Sequence, residues 1–152
     1  MIQRIQSIYL LIVTLLMGSI FIYPFAELLG ANGQLFIINF NGLSIENEEG
    51  MYLLTIPPMI LLILIVSISF LSIFLYKKRV IQMRINFINL MLMLGYLGLN
   101  YYYIQNFSKQ LDGIVSYNVT AIFPIISAIL TYLAIRAIGK DEALIRSMDR
   151  IR

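Results

Sequence analysis

Four long apolar runs, with almost every lysine and arginine on one side of them, restrict the fold of this chain more than any other feature. The runs cover residues 5–25, 53–76, 85–104 and 119–138. An α-helix rises about 1.5 Å per residue, so about 20 residues cross the ~30 Å hydrocarbon core of a bilayer. Each run reaches that length. The chain of 152 residues is 60% hydrophobic and 12% charged, roughly half the charge of an average soluble domain. Surface grows too fast relative to volume for so short a chain to hide that much apolar area in water. A bilayer removes the difficulty, because lipid solvates the outward faces. The expectation is an all-α membrane fold: one integral domain over residues 1–152, built as a four-transmembrane-helix bundle.

The runs differ in detail. The first follows Arg4 and resembles a signal peptide, but its apolar stretch is longer than an h-region and no small-x-small cleavage site follows. It reads as a retained span ending at Tyr23-Pro24-Phe25. The second contains Pro57-Pro58, which a helix accepts only in its first turn, so the helix is expected to start near Pro57. Ser67, Ser69 and Ser72 can bond back to helix carbonyls or face a neighbouring helix. The third is the most polar. Asn86 and Asn89 lie three apart and share a face, which makes them candidates for interhelical hydrogen bonds, most simply within the bundle itself. Gly95 and Gly98 allow close approach of a neighbour. The fourth carries Pro124, which either kinks a helix begun at Val119 or marks its true start.

Orientation follows from the flanking charge, because cytoplasmic loops are rich in lysine and arginine. Arg4, Lys77, Lys78, Arg79, Arg84, Arg136, Lys140, Arg146, Arg150 and Arg152 fall on one side of four crossings, and Lys109 alone on the other. Glu27, Glu46, Glu48, Glu49 and Asp112 share the side of Lys109. This split requires an even number of crossings and puts both termini in the cytoplasm.

Two segments stand outside the spans. In the outer loop, 28–52, Asn41-Gly42 sits between β-prone runs, the strongest short hairpin signal. A small extracytoplasmic β-hairpin is expected there, acting as a packed cap or a partner surface, followed by a solvated turn at Glu46, Glu48 and Glu49. Those glutamates lack the alternating pattern of a calcium loop. The tail, 139–152, reads as a cytoplasmic amphipathic helix. Leu144, Met148 and Ile151 form one apolar stripe, Glu142 and Arg146 a favourable i,i+4 pair, and the acidic and basic ends match the helix dipole. Leu144, Arg146, Met148 and Ile151 are the candidate partner-contact residues, directed at the inner leaflet or at another protein.

The chain has no cysteine and no histidine. That removes disulfides, thiol redox chemistry, the commonest general base and the commonest transition-metal ligand. No span carries a clear mid-bilayer Asp, Glu, Lys or Arg, the usual mark of a proton or ion path. No catalytic, cofactor or metal residue is assigned, and an enzyme is not expected. The net charge of +3 flanks spans, where anionic headgroups explain it better than nucleic acid.

The opening Met1-Ile-Gln-Arg-Ile-Gln-Ser7 and the tail from Lys140 to Arg152 resemble the DUF4293 family, small four-span membrane proteins of Bacteroidota. The resemblance covers essentially the whole chain. It implies a bacterial inner-membrane location, which makes the sequons at Asn106 and Asn118 irrelevant to glycosylation, and it carries no catalytic residues. The function expected is that of a non-catalytic accessory or structural subunit of a membrane complex. The alternative is a small-solute transporter acting as a homo-oligomer.

Overall fold

The computed structural model describes residues 3–45 and 51–149. Helix α1 spans Gln3–Ser19, α2 Ile56–Phe74, α3 Arg79–Gln110 and α4 Phe123–Asp149. Five short strands fill the connections at one end: β1 Ala26–Leu29, β2 Leu35–Asn39, β3 Gly42–Ile45, β4 Met51–Leu54 and β5 Ile114–Tyr117. The helices run up and down and close a ring, each packing on two others: α1 on α2 and α4, α3 on α2 and α4. Three helical segments are apolar and long enough to cross a membrane: Ile56–Phe74, Arg79–Gln110 and Val119–Leu144.

Each helix departs from its expected run for a local reason. α1 stops at Ser19, six residues short of the expected 25. The chain leaves it through turns in which the Ile22 and Tyr23 amides donate to the Ser19 carbonyl, and Pro24 bars the preceding residue from a helical continuation. The 17 residues of α1 measure about 25 Å. α2 begins at Ile56 with Pro57 and Pro58 in its first turn, where the missing donors have no intrahelical partner. α3 is far longer than 85–104. Its 32 residues span about 48 Å, because no proline interrupts the chain between Arg79 and Gln110. It ends where Asp112 takes a positive φ of 43° and Gly113 passes β1 so closely that a Cβ would lie 2.6 Å from the Leu28 side chain.

The fourth run settles the proline question. Residues 119–122 form a 3-10 turn, and Pro124 occupies the first turn of α4, so no kink is needed. The tail, expected as a helix of its own over 139–152, is helical as far as it is described, but it is not separate from the fourth helix. α4 runs unbroken through Gly139 to Asp149, so the tail is the far end of the fourth helix. Leu144 is 55% exposed on it. The side chains of Arg146 and Met148, and Ile151 altogether, lie outside the described residues, as do Glu46, Glu48 and Glu49.

The expected hairpin is part of a larger antiparallel sheet with strand order β4-β3-β2-β1-β5. Asn39 pairs with Gly42, so the turn itself is Phe40–Asn41, one residue earlier than the Asn-Gly pair suggests. Gly42 is required for another reason. Its φ is 145°, and a Cβ there would sit 2.0 Å from the Leu53 carbonyl oxygen of β4. Strand alternation buries Phe36 and Ile38 of β2 on one face. They join Ala26, Leu28 and Leu43 with Val13, Met17, Leu62, Met93, Ile104 and Phe107 in a single core. The sheet is therefore the lid of the bundle and shares its interior.

Candidate functional site

The apolar core lies beneath the sheet; toward the opposite end buried polar side chains gather among apolar ones such as Ala134 and Ile138. The interior face of α3 explains the change. Gln82, Asn86, Asn89, Met93, Tyr96 and Asn100 recur at intervals of three and four, which keeps them on one side of a helix, and all are buried. Ser69 and Ser72 face them from α2, while Ser127 and Thr131 line α4. Small side chains at these positions bring the neighbouring helices within reach of the amides.

Among the described residues, hydrogen bonds cross between the helices at four places, the weakest from Thr131 Oγ1 of α4 to the Met93 sulfur of α3 at 3.7 Å. The Asn89 amide nitrogen donates to Ser69 Oγ at 2.7 Å. One turn nearer the charged end, Gln82 Nε2 donates to the Ser72 carbonyl at 2.9 Å. On the other side of the ring, Gln6 Nε2 of α1 donates to Asp141 Oδ2 of α4 at 2.6 Å. That short distance fits a bond accepted by a carboxylate. Further bonds stay within one helix: Asn100 Nδ2 to the Tyr96 carbonyl at 2.9 Å, and Thr131 Oγ1 to the Ser127 carbonyl at 2.8 Å.

Several buried polar atoms have no protein partner among the described residues. They are Ser72 Oγ, Gln82 Oε1, both polar atoms of Asn86, Asn89 Oδ1, the Tyr96 hydroxyl and Ser127 Oγ. The pattern has a cause. Gln82 and Asn89 commit their amide nitrogens to α2, so their oxygens turn away from it and find no donor. Asn86 lies between them and meets neither serine. Leaving a buried donor or acceptor unmade costs about 1–3 kcal/mol, so this half of the bundle gives up stability for hydrogen-bonding capacity. The site is almost wholly uncharged. Asp141 is the one charged group among the buried residues described, and Gln6 holds it.

Of the residues singled out from sequence, Asn89 bonds across to Ser69 of α2, whereas Asn86, equally buried, has no hydrogen-bond partner among the described residues. Leu144 stands one turn beyond Asp141 on the exposed flank of α4. Gln6, Gln82 and Asp141 escaped the sequence reading. A periodicity signal for Gln82 exists, since it stands four residues before Asn86 on the same helical face, but the expected span began after it. Nothing in the sequence pairs Gln6 with Asp141, which are 135 residues apart.

The chain matches a family model described as "Domain of unknown function (DUF4293)" over residues 2–151. No curated protein matches it.

Proposed function

The chain belongs to the DUF4293 family, and we propose from its geometry that it is a four-span inner-membrane protein serving as a non-catalytic accessory or structural subunit of a membrane complex. One observation carries the reading: the ring of helices holds a built segment at each end. At one end the five-stranded sheet shares the bundle's core, so its outer face is a fixed surface. At the other, α3 and α4 are both longer than a bilayer needs, and the Gln6–Asp141 bond anchors the emerging end of α4 to α1.

In this reading α1 completes its crossing through the turn at 20–25, both termini are cytoplasmic and the sheet is extracytoplasmic. Because the chain has no cysteine, single cysteines report topology cleanly. Ser116→Cys on β5 should react with an impermeant maleimide in intact spheroplasts, and Ser147→Cys on α4 only after lysis. The reverse pattern, or labelling of both from one side in a form that excludes a fourth crossing, sinks the topology. Gentle detergent purification through a C-terminal tag should recover a stoichiometric partner, and the paired changes Leu144→Asp and Met148→Asp should abolish its capture. A lone monomer or homodimer that moves a solute across vesicles refutes the subunit reading.

That last outcome defines the second reading, a small-solute transporter acting as a homo-oligomer. The unpartnered atoms of Gln82, Asn86 and Asn89 favour it, since an interior with spare hydrogen-bonding capacity suits a polar, uncharged solute.

A further inference from the structure

A groove of about 770 Å³ opens on the outer flank of the bundle, along the seam between α1 and the start of α4. Its volume lies within the roughly 300–1,000 Å³ of small-molecule sites. The groove is graded along its length. Its end toward the middle of the bundle is walled by Ile12, Leu15 and Leu16 of α1. At the sheet end its wall includes Ser19, Tyr23 and Asn118. An apolar trough closed by a polar rim at one end has the polarity of an amphiphile.

The surroundings indicate which kind. β5 forms the sheet edge and leads into the groove wall at Asn118 and Val119; beside the exposed Ser116 it carries Ile114, 77% exposed, and Tyr117, 50% exposed, and Val119 just beyond the strand is 72% exposed. An edge strand facing water is normally protected by charge; this one has none. It belongs at the boundary between headgroups and hydrocarbon, which places the trough inside the acyl layer. The rim is rich in acceptors. Asn118 already gives its amide nitrogen to Glu27 Oε1 at 3.1 Å, Ser19 donates to the Leu16 carbonyl at 2.7 Å, and Thr120 donates to the Pro24 carbonyl. What Ser19 and Thr120 still offer is oxygen, Asn118 offers its amide oxygen beside one remaining N–H, and the Glu27 carboxylate stands behind them. An acceptor-rich rim with a negative charge behind it suits a headgroup that donates hydrogen bonds and carries positive charge, and disfavours an anionic one.

We propose that this groove binds one phospholipid with an amine-bearing headgroup, its ammonium at the Asn118–Glu27 rim and one acyl chain along α1 toward Ile12. The inference rests on the four-span orientation, which the cysteine-labelling experiment tests separately, so failure of one is distinguishable from failure of the other.

The test is native mass spectrometry of the full chain extracted from vesicles of equimolar phosphatidylethanolamine and phosphatidylglycerol, after a stringent detergent wash. One phosphatidylethanolamine per chain should survive. Val119→Trp, at an exposed position on the groove wall, should reduce the retained lipid about tenfold. Leu64→Trp, on the exposed face of α2, should leave it unchanged. Leu16→Trp blocks the trough from the opposite wall and replaces Val119→Trp if that variant does not fold. Glu27→Gln should keep the lipid but bring the two headgroups close to equal retention. Equal lipid on the wild-type and both groove-blocked chains overturns the site. A wild-type preference for phosphatidylglycerol, or a headgroup preference unmoved by Glu27→Gln, overturns the headgroup assignment. A lipid-free dimer that Val119→Trp separates gives the groove to a second copy of the chain and overturns the proposal.

Discussion

Asn86 and Asn89 invite a paired experiment, because they differ in one respect only. Both are fully buried, and both lie on the inward face of α3 one turn apart. Asn89 has a partner in Ser69; neither polar atom of Asn86 has one among the described residues. Replacing each by leucine, which has nearly the same shape, makes the packing terms comparable and leaves the hydrogen bonds to decide the difference. Asn86→Leu removes two unmade groups. At about 1–3 kcal/mol for a buried group left unsatisfied, discounted because an unfolded chain in lipid also finds partners, we expect a gain of about 1–2 kcal/mol. Asn89→Leu deletes a real bond, worth about 0.6 kcal/mol on average and up to about 1.7 in membrane proteins, and relieves one unmade acceptor, so the result is near zero to about 1 kcal/mol of loss. Asn86→Leu should thus be the more stable of the two by about 1–3 kcal/mol, a factor of roughly 5–150 in the folded-to-unfolded ratio, since about 1.4 kcal/mol is tenfold. Reversible unfolding in mixed micelles of mild detergent and dodecyl sulfate, followed by helical circular dichroism, measures it. If Asn86→Leu is no more stable than Asn89→Leu, the argument from unmade hydrogen bonds is refuted.

Gly42→Ala should be strongly destabilising, because the new Cβ meets the Leu53 carbonyl oxygen at 2.0 Å and no side-chain movement relieves a backbone clash. Rapid proteolytic cleavage of the sheet in folded, helical protein is the expected readout, and wild-type resistance would contradict the strand assignment. Gln6→Leu removes the donor to buried Asp141. Hydrogen bonds to charged groups contribute about 1.5–3 kcal/mol, so amide exchange in the last turns of α4 should accelerate by tenfold or more while the middle of α3 is unaffected. The second change in Gln6→Leu/Asp141→Leu should recover much of the protection by removing the stranded carboxylate.

Much of the helical frame was legible because its signals are local. Pro57-Pro58 set the start of α2 through chemistry that no tertiary context alters, and the apolar runs located all four helices. The ends were harder to read, for physical reasons. Residues 20–25 and 51–54 are as apolar as the helices beside them, so hydrophobicity runs on while the backbone changes from helix to turn or strand. β1 and β4 went unread because a strand of four residues has no period to detect at the edge of such a run. β5 lacks even a flanking hairpin partner; it pairs with β1 across a separation that only the closed ring of helices creates. The tail misled in the opposite direction. Its amphipathic pattern is genuine, but Gly139 costs a helix only about 1 kcal/mol, and packing of α4 against α3, where Gly139 lies near the Met83 sulfur, makes continuation the better solution.

The distribution of polarity in the core is the property that sequence periodicity came closest to revealing and still missed. A bundle in lipid gains little from burying apolar side chains, since lipid is equally apolar, and depends on close packing and interhelical hydrogen bonds. Among the described residues the seams α2–α3, through Ser69 and Ser72, and α1–α4, through Gln6 and Asp141, follow that rule, with a weaker Thr131–Met93 bond between α4 and α3. Had the amides served only to join helices, Asn86 would also meet a serine, and Gln82 and Asn89 would present their second atoms to donors. They do not. Helix cohesion therefore accounts for the amide nitrogens of Gln82 and Asn89 and leaves over their oxygens and both polar atoms of Asn86. Those atoms lie in the half of the bundle away from the sheet, inside the ring, whereas the graded groove is outside it near the sheet. The two features are separated along the bundle axis and by the wall of the ring, so a lipid bound at one and a polar guest drawn to the other would not compete for the same atoms.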